Sequence, residues 1–332
     1  MRFDVYIHPN DLRSVPDLAQ HLENEGFHAI WTPETNHNPY FPLVLAGHAT
    51  QRLQLGTGIA VAFARSPTVT AMEAWDLARL TNGRFILGLG TQIKAHITRR
   101  FGMPWDSPVA RLREYIEGMR ALWDTFQNNA RLNYRGEHYK LTFMTPFFQP
   151  EPLEHPHIPI FTGGVQAAMC QLAGELSQGF HVHPFHTADY LRNFILPNLE
   201  VGLARSGRTR AELQLICAIF VVTNLEEARE VKSQIAFYAS TPGYRGVLEQ
   251  HGWGDLQDRL SGLIRRSRWE ELPEQISDEM LAHFAVVAPA QELAAAVEAR
   301  YRGLLDRVAY YFPYVMGERE ALWRASLAHF NG

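Results

Sequence analysis

The feature that most constrains this chain is a repeated alternation of short strand-like runs with amphipathic helical stretches. The opening run Arg2 to Ile7 is followed by Val15, Leu18, Ala19 and Leu22 at i, i+3, i+4 and i+7, and then by a second strand-like run from Phe27 to Thr32. Ser14, with Asp17 three residues on, suits a helix start, and Gly26 suits its end. Strand, helix, strand with short connections is a βαβ unit, and its repetition implies a parallel sheet covered by helices. Strand-like starts fall near Phe3, His28, Leu53, Arg84, Ile158, Phe180, Leu213 and Arg307. Helical patterns follow at 39–49, at 67–80 behind Ser66-Pro67, and at 108–126 behind Ser107-Pro108. Eight strands, each with a following helix, predict a (β/α)8 TIM barrel; a doubly wound sheet is the alternative.

Two spacings exceed one unit. They predict insertions after strands 4 and 7, at about 127–157 and 241–285, within a single domain over 1–332. The first contains LNYRGEHYKLTF, which alternates like a hairpin around Arg135-Gly136. Barrels of this kind carry their active sites at the C-terminal ends of the strands, where long insertions act as lids.

Composition narrows the class. Lys plus Arg is 31 against 35 for Asp plus Glu, a net charge of −4 that offers no basic excess for nucleic acid. The longest apolar run, LQLICAIFVV, is of strand length, well short of the ~20 residues that span a bilayer. Cys170 and Cys217 form no framework, and the N-terminal residues do not read as a secretion signal, so a cytoplasmic protein is expected.

The chemistry-bearing residues cluster just after the strands. TPETNHNP at 32–39 brings Glu34, His37 and Asn38 together, an acid/base set if the loop faces substrate and a set of helix-capping groups if it does not. LGTGIAVA at 55–62 and GRFILGLGTQ at 83–92 each hold paired glycines, which mark a bulge or close approach of a ligand to backbone. Thr162-Gly163-Gly164-Val165 opens a helix, a geometry that suits an anion or serves as a tight turn. His181, His183 and His186 form H-x-H-x-x-H, readable as metal ligands of a TIM-barrel hydrolase or as neutral histidines lining a pocket.

Together, LGTGIAVA, NGRFILGLGTQ, TPETNHNP, FTGG and GFHVHPFH resemble the bacterial luciferase-like superfamily of flavin and deazaflavin enzymes, and within it the group dependent on coenzyme F420. The resemblance covers essentially the whole chain. It implies a flavin-type ring across the barrel mouth, braced by a non-proline cis peptide at Gly58-Ile59, with Thr91 and Gln92 at the polar edge of the ring. It further implies Thr162, Gly163, Gly164 and Val165 on the phosphate side, and His183 and His186 lining tail or substrate. The Asp-His pair of several F420-dependent members reads Glu34-Thr35 here, and a glutamate of the sugar-phosphate branch aligns with Ile93. Both departures argue against sugar-phosphate oxidation. They leave Glu34 and His37 for proton transfer, with Asn38 orienting substrate and no metal required.

The activity implied is hydride transfer between F420 and an organic small molecule. The alternative within the family is an FMN-dependent monooxygenase fed by a separate reductase. The resemblance also implies a homodimer or larger homo-oligomer.

Overall fold

Why the helices begin and end where they do is legible in their caps, and the caps correct two expectations. The computed structural model describes residues 1–332. Helix α1, Val15–Glu25, ends at Gly26 in the left-handed region (φ 95°), as expected for glycine past a helix end. Ser14 does not cap it. A single 3₁₀ turn, Leu12–Ser14, precedes α1 and leaves Ser14 already in helical conformation, so its hydroxyl donates back to the Asp11 carbonyl instead (2.8 Å). Helix α2 is Tyr40–Ala49, and α3, Pro67–Leu80, starts as its sequence predicts, with Ser66 Oγ accepting from the Val69 N–H. Helix α4, Pro108–Asn128, buries Leu112, Ile116, Met119 and Trp123 on one face, whereas Ser107 sits at φ 31° and gives it no side-chain cap.

All eight expected strands form: β1 (Arg2–Phe3) continuing as β2 (Val5–Tyr6), β3 (Ala29–Thr32), β4 (Gln54–Thr57), β6 (Phe85–Gly90), β9 (Ile160–Gly164), β10 (Gly179–Val182), β11 (Gln214–Val222) and β13 (Arg307–Tyr310). Between them lie four shorter ones, β5 (Ala60–Val61), β7 (Tyr134–Arg135), β8 (Lys140–Leu141) and β12 (Ala285–Val287).

The chain divides into two compact units. The first comprises 7–163 and 175–180, the second 1–6, 164–174 and 181–332. In the first, β3, β4, β6 and β9 lie side by side and parallel, with Trp31 opposite Gly56 and Leu87 opposite Ile160. Gly56 is obligatory there, because a Cβ at this position would lie 2.3 Å from the Trp31 ring. The early insertion is a short antiparallel hairpin, Tyr134 opposite Leu141 and Arg135 opposite Lys140. Its turn is held from α4: the Glu114 carboxylate accepts the backbone N–H groups of Glu137, His138 and Tyr139 at 2.7–3.1 Å.

In the second unit β13 lies between β1 and β11, parallel to both, with Val308 opposite Phe3 on one side and Cys217 on the other. A fully buried ion pair crosses this sheet: Arg307 Nε and Nη2 donate to Asp4 Oδ2 and Oδ1 at 2.7 and 3.0 Å. The late insertion is helical and rejoins the sheet through β12, which pairs with β11 at Phe220↔Ala285 and Val222↔Val287. β12 was not foreseen from sequence, being only three residues long. The helices Ala167–Leu176 (α5) and Leu196–Arg205 touch backbone to backbone, since a Cβ at Gly202 would stand 1.9 Å from the Gln171 carbonyl oxygen and one at Gly174 2.2 Å from that of Leu199. No helix is long and apolar enough to cross a membrane.

Candidate active site

The candidate residues fall in both units, and each set is built by its own strands. In the first unit the strand after α2 breaks. β4 leaves the sheet at Thr57, whose hydroxyl is tied to Gly88 N and O at 2.8 and 2.7 Å, and the chain re-enters it as β5, with Ala60 opposite Leu89 and Val61 opposite Gly90. Between the two halves lies the expected cis peptide, Gly58-Ile59. Gly58 N–H donates to the Thr32 carbonyl (2.9 Å) and Glu34 N–H to the Ile59 carbonyl (3.2 Å), so the bulge is stitched to the loop that follows β3. Ile59 fits against β6 because Gly90 has no side chain; a Cβ there would lie 2.7 Å from Ile59 Cδ1.

Glu34 is committed to this scaffold. Its Oε2 accepts from Val61 N–H (2.7 Å) and Arg65 Nη1 (2.8 Å), and its Oε1 from Arg65 Nη2 (2.8 Å), a bidentate pair of nearly buried side chains. Burial works against the charge on Arg65, but Glu34 above all, with Tyr40 and Glu73 after it, outweighs that and holds the guanidinium above its usual range. Glu73 shows the opposite balance: burial raises its carboxyl despite Arg65. His37 lies exposed on the same loop, while Asn38 Oδ1 accepts the Tyr40 N–H (2.8 Å) and so serves the start of α2. At the exit of β6, Gln92 takes a left-handed conformation (φ 61°), with Thr91 Oγ1 donating to the Gln92 carbonyl and Gln92 Oε1 accepting the Ile93 N–H. The Thr162 hydroxyl is buried against Ser177 Oγ (2.9 Å), which leaves Thr162 and Gly163 only main-chain groups to offer a ligand.

In the second unit, Gly164 and Val165 lead into α5, and a Cβ at Gly164 would lie 2.6 Å from Met169 Cβ. The three histidines stand in different surroundings, His181 and His186 buried and His183 half-buried. His181 meets Tyr6 Oη at 3.4 Å. His183 Nδ1 accepts the Phe185 N–H (3.1 Å), so the neutral ring carries its proton on Nε2 and donates it to Tyr244 Oη (3.0 Å). His186 places Nδ1 on the carbonyls of His183 and Pro184 (3.0 and 3.2 Å), with Nε2 buried and without a protein partner. Burial pushes His181 and His183 down to about 3 and His186 to about 4, with Arg307, His186 and Arg300 respectively adding repulsion. All three are therefore neutral at physiological pH. With both His183 nitrogens and His186 Nδ1 already engaged, H-x-H-x-x-H has the chemistry of a lined wall rather than of a ligand triad.

Two partners were missed from sequence. Arg65 is a single cation ending an apolar run, AVAFAR, which is the signal that could have flagged a buried counter-charge. Tyr244 stands in the late insertion and joins Tyr238, Phe185 and His183 in one aromatic cluster, with ring centroids 4.6–6.2 Å apart; nothing local in the sequence marks it.

Comparison with known proteins agrees with this geometry. A family model described as luciferase-like monooxygenase matches residues 2–307. An uncharacterized protein of Mycobacterium tuberculosis (strain ATCC 25618 / H37Rv) is 44% identical over 329 residues, 97% of this chain and 96% of that one. A 5,10-methylenetetrahydromethanopterin reductase of Archaeoglobus fulgidus is 26% identical over 82% of this chain and 83% of its own length. Among solved structures, the coenzyme F420 dependent tetrahydromethanopterin reductase of Methanopyrus kandleri superposes with a TM-score of 0.80 at 21% identity, covering 99% of both chains. That likeness shows the fold to be the expected (β/α)8 TIM barrel.

Proposed function

Because the chain belongs to the luciferase-like monooxygenase family and is an enzyme of the luciferase-like oxidoreductase class, we propose that it is an F420-dependent oxidoreductase acting on a small organic substrate. The observation that carries this reading is the broken strand β4–β5. It presents main chain and one aliphatic side chain, Ile59, fitted against Gly90, where a regular strand would present a row of side chains. Such a surface fits the face of a flat ring. The coenzyme F420 dependent reductase of Methanopyrus kandleri, of the same fold, supports the deazaflavin over FMN.

When bound, F420 supplies or accepts the hydride. Gly58, Ile59, Thr91 and Gln92 would hold it. Main-chain N–H groups of the Thr162–Val165 segment would hold its phosphate, since the Thr162 side chain is turned to Ser177. His183, fixed by Tyr244, lines tail or substrate. His186 is 1% exposed, so support for ligand contact goes to His183. The proton that accompanies the hydride belongs to His37, which is exposed on the β3 loop and can exchange it with solvent. Glu34, with three hydrogen bonds accepted, is better suited to hold the bulge than to move a proton, and Asn38 keeps its amide nitrogen for substrate. Exposed apolar residues of α2 and α3, Phe41, Val44, Val69 and Met72, support association into a homodimer or larger homo-oligomer, which light scattering tests.

Titration of the isolated chain separates the cofactors. Saturable binding of F420 at one equivalent, read by its fluorescence and tighter than that of FMN, is the expected result. Oxygen consumption with reduced FMN, with no F420 binding, would replace the reading with a monooxygenase. His37→Gln should lower kcat about 100-fold while leaving F420 affinity unchanged.

A further inference from the structure

Away from these residues, the second unit brings together three side chains with metal-ligand chemistry. Asp189 lies in the helical turn Ala188–Tyr190 that follows β10, His251 follows the helix Arg245–Glu249, and His283 lies near the end of the helix Asp278–Phe284. One ligand atom of each stands within 4.8 Å of the other two. A point equidistant from three atoms at that spacing is about 2.8 Å from each, so closing to Zn–N and Zn–O bonds of about 2.0–2.2 Å moves each group by under about 1 Å. The Asp189 side chain is half-exposed, tied to Arg192 through one oxygen, and can make that adjustment. From this geometry we infer a site for a transition-metal dication of the zinc class, with two imidazoles and one carboxylate as ligands and at least one position open to water.

The groups around the cluster match what such a site needs. His251 is oriented by a hydrogen bond between its Nε2 and Thr187 Oγ1 (2.8 Å), and that hydroxyl is itself fixed by accepting the Tyr190 N–H (3.1 Å). In the tautomer that donates Nε2–H to Thr187, Nδ1 carries the lone pair, which is the arrangement by which outer-shell partners set the tautomer of a metal-bound histidine. Trp253 stacks on His251 (centroids 4.7 Å, 20°) and packs edge-on against His283 (5.4 Å), walling one side of the pair with an apolar ring. One Asp189 oxygen is shared with Arg192 (3.1 Å), which leaves the other for the metal. Two neutral imidazoles and one carboxylate carry a charge of −1, which a dication overcompensates.

The site joins the late insertion to the segment just beyond His183 and His186. Tyr244, the hydrogen-bond partner of His183, lies in the turn Pro242–Tyr244 directly before the helix that leads to His251. A metal here fixes that turn, and with it the His183–Tyr244 pair, without touching either residue.

The test uses the full-length, untagged chain stripped with chelator. Zn²⁺ titrated by calorimetry should bind at one equivalent per chain. Co²⁺ should give the visible absorption bands of a four- or five-coordinate nitrogen–oxygen site, and Trp253 should report binding by a fluorescence change absent from Trp253→Phe. Asp189→Asn, at a half-exposed position, and His283→Gln should each weaken Zn²⁺ by at least 10-fold with circular dichroism unchanged. Absence of Zn²⁺ and Co²⁺ binding up to about 1 mM, or binding that both variants leave intact, overturns the site. Because metal binding is read directly, its failure leaves the F420 assignment standing, and failure of F420 binding leaves the metal site standing.

Discussion

At the scale of single residues, the sharpest question is what Glu34 does. Its carboxylate accepts two hydrogen bonds from Arg65 and one from Val61 N–H, so it is a clamp on the β4–β5 bulge. Glu34→Gln should lower stability by about 3 kcal/mol, seen as a shift in urea midpoint, because it takes the bidentate counter-charge from a largely buried guanidinium and leaves only Glu73, 3.7 Å away. It should also lower kcat through misplacement while the acidic limb of the pH–rate profile stays where it was; disappearance of that limb would restore Glu34 as the proton-transfer group. Glu34 itself was legible in the sequence as a carboxylate at a strand exit. Its partner was not, because Arg65 reaches it only once the chain has doubled back through the bulge, and no local spacing encodes that path.

At the scale of elements, glycine carries the tightest constraints. Gly202→Ala drives a methyl into the Gln171 carbonyl, which is backbone and cannot rotate aside, and should cost about 3 kcal/mol in a thermal or denaturant melt. Gly243→Ala, with open space around its Cβ position, should stay within about 0.5 kcal/mol of the parent. The eight strands could be read in advance because each apolar run is bounded by a helix pattern or by glycine and proline. β5 and β12 could not, since two or three residues carry no periodicity and their pairing is decided by the neighbouring strand. Helix starts were half legible: Ser66 caps as its sequence suggests, whereas Ser14 and Ser107 have the right chemistry and the wrong backbone, one already helical and the other left-handed.

At the scale of the molecule, buried ionisable groups set how the fold responds to acid. His181, His183 and His186 are held below their unfolded value of about 6.5, so the unfolded chain binds more protons wherever pH falls below that value. Their burial is tolerated above about pH 6.5 and destabilises progressively from there toward about 4, at about 1 kcal/mol per histidine per pH unit. Denaturant midpoints should therefore fall steeply between pH 6.5 and 4.5, and His186→Leu should flatten the slope. The Asp4–Arg307 pair acts on the same unit: Asp4→Ala leaves Arg307 charged and fully buried, and should destabilise by about 3–5 kcal/mol in urea. Neither Asp4 nor Arg307 stood out in the sequence, because a charge beside a strand reads as solvent-facing until the partner 303 residues away is known.

The late insertion begins beyond the helix Leu225–Ala239 that follows β11 and comes home on β12, hydrogen-bonded to β11. The strands on either side of it are thus paired, and the hydrogen-bonded frame they form need not register what happens between them. Such a stretch has the layout of an exchangeable cassette: its length and its aromatic lining, Tyr244 included, can change while the pairing of β11 with β12 stays as it is.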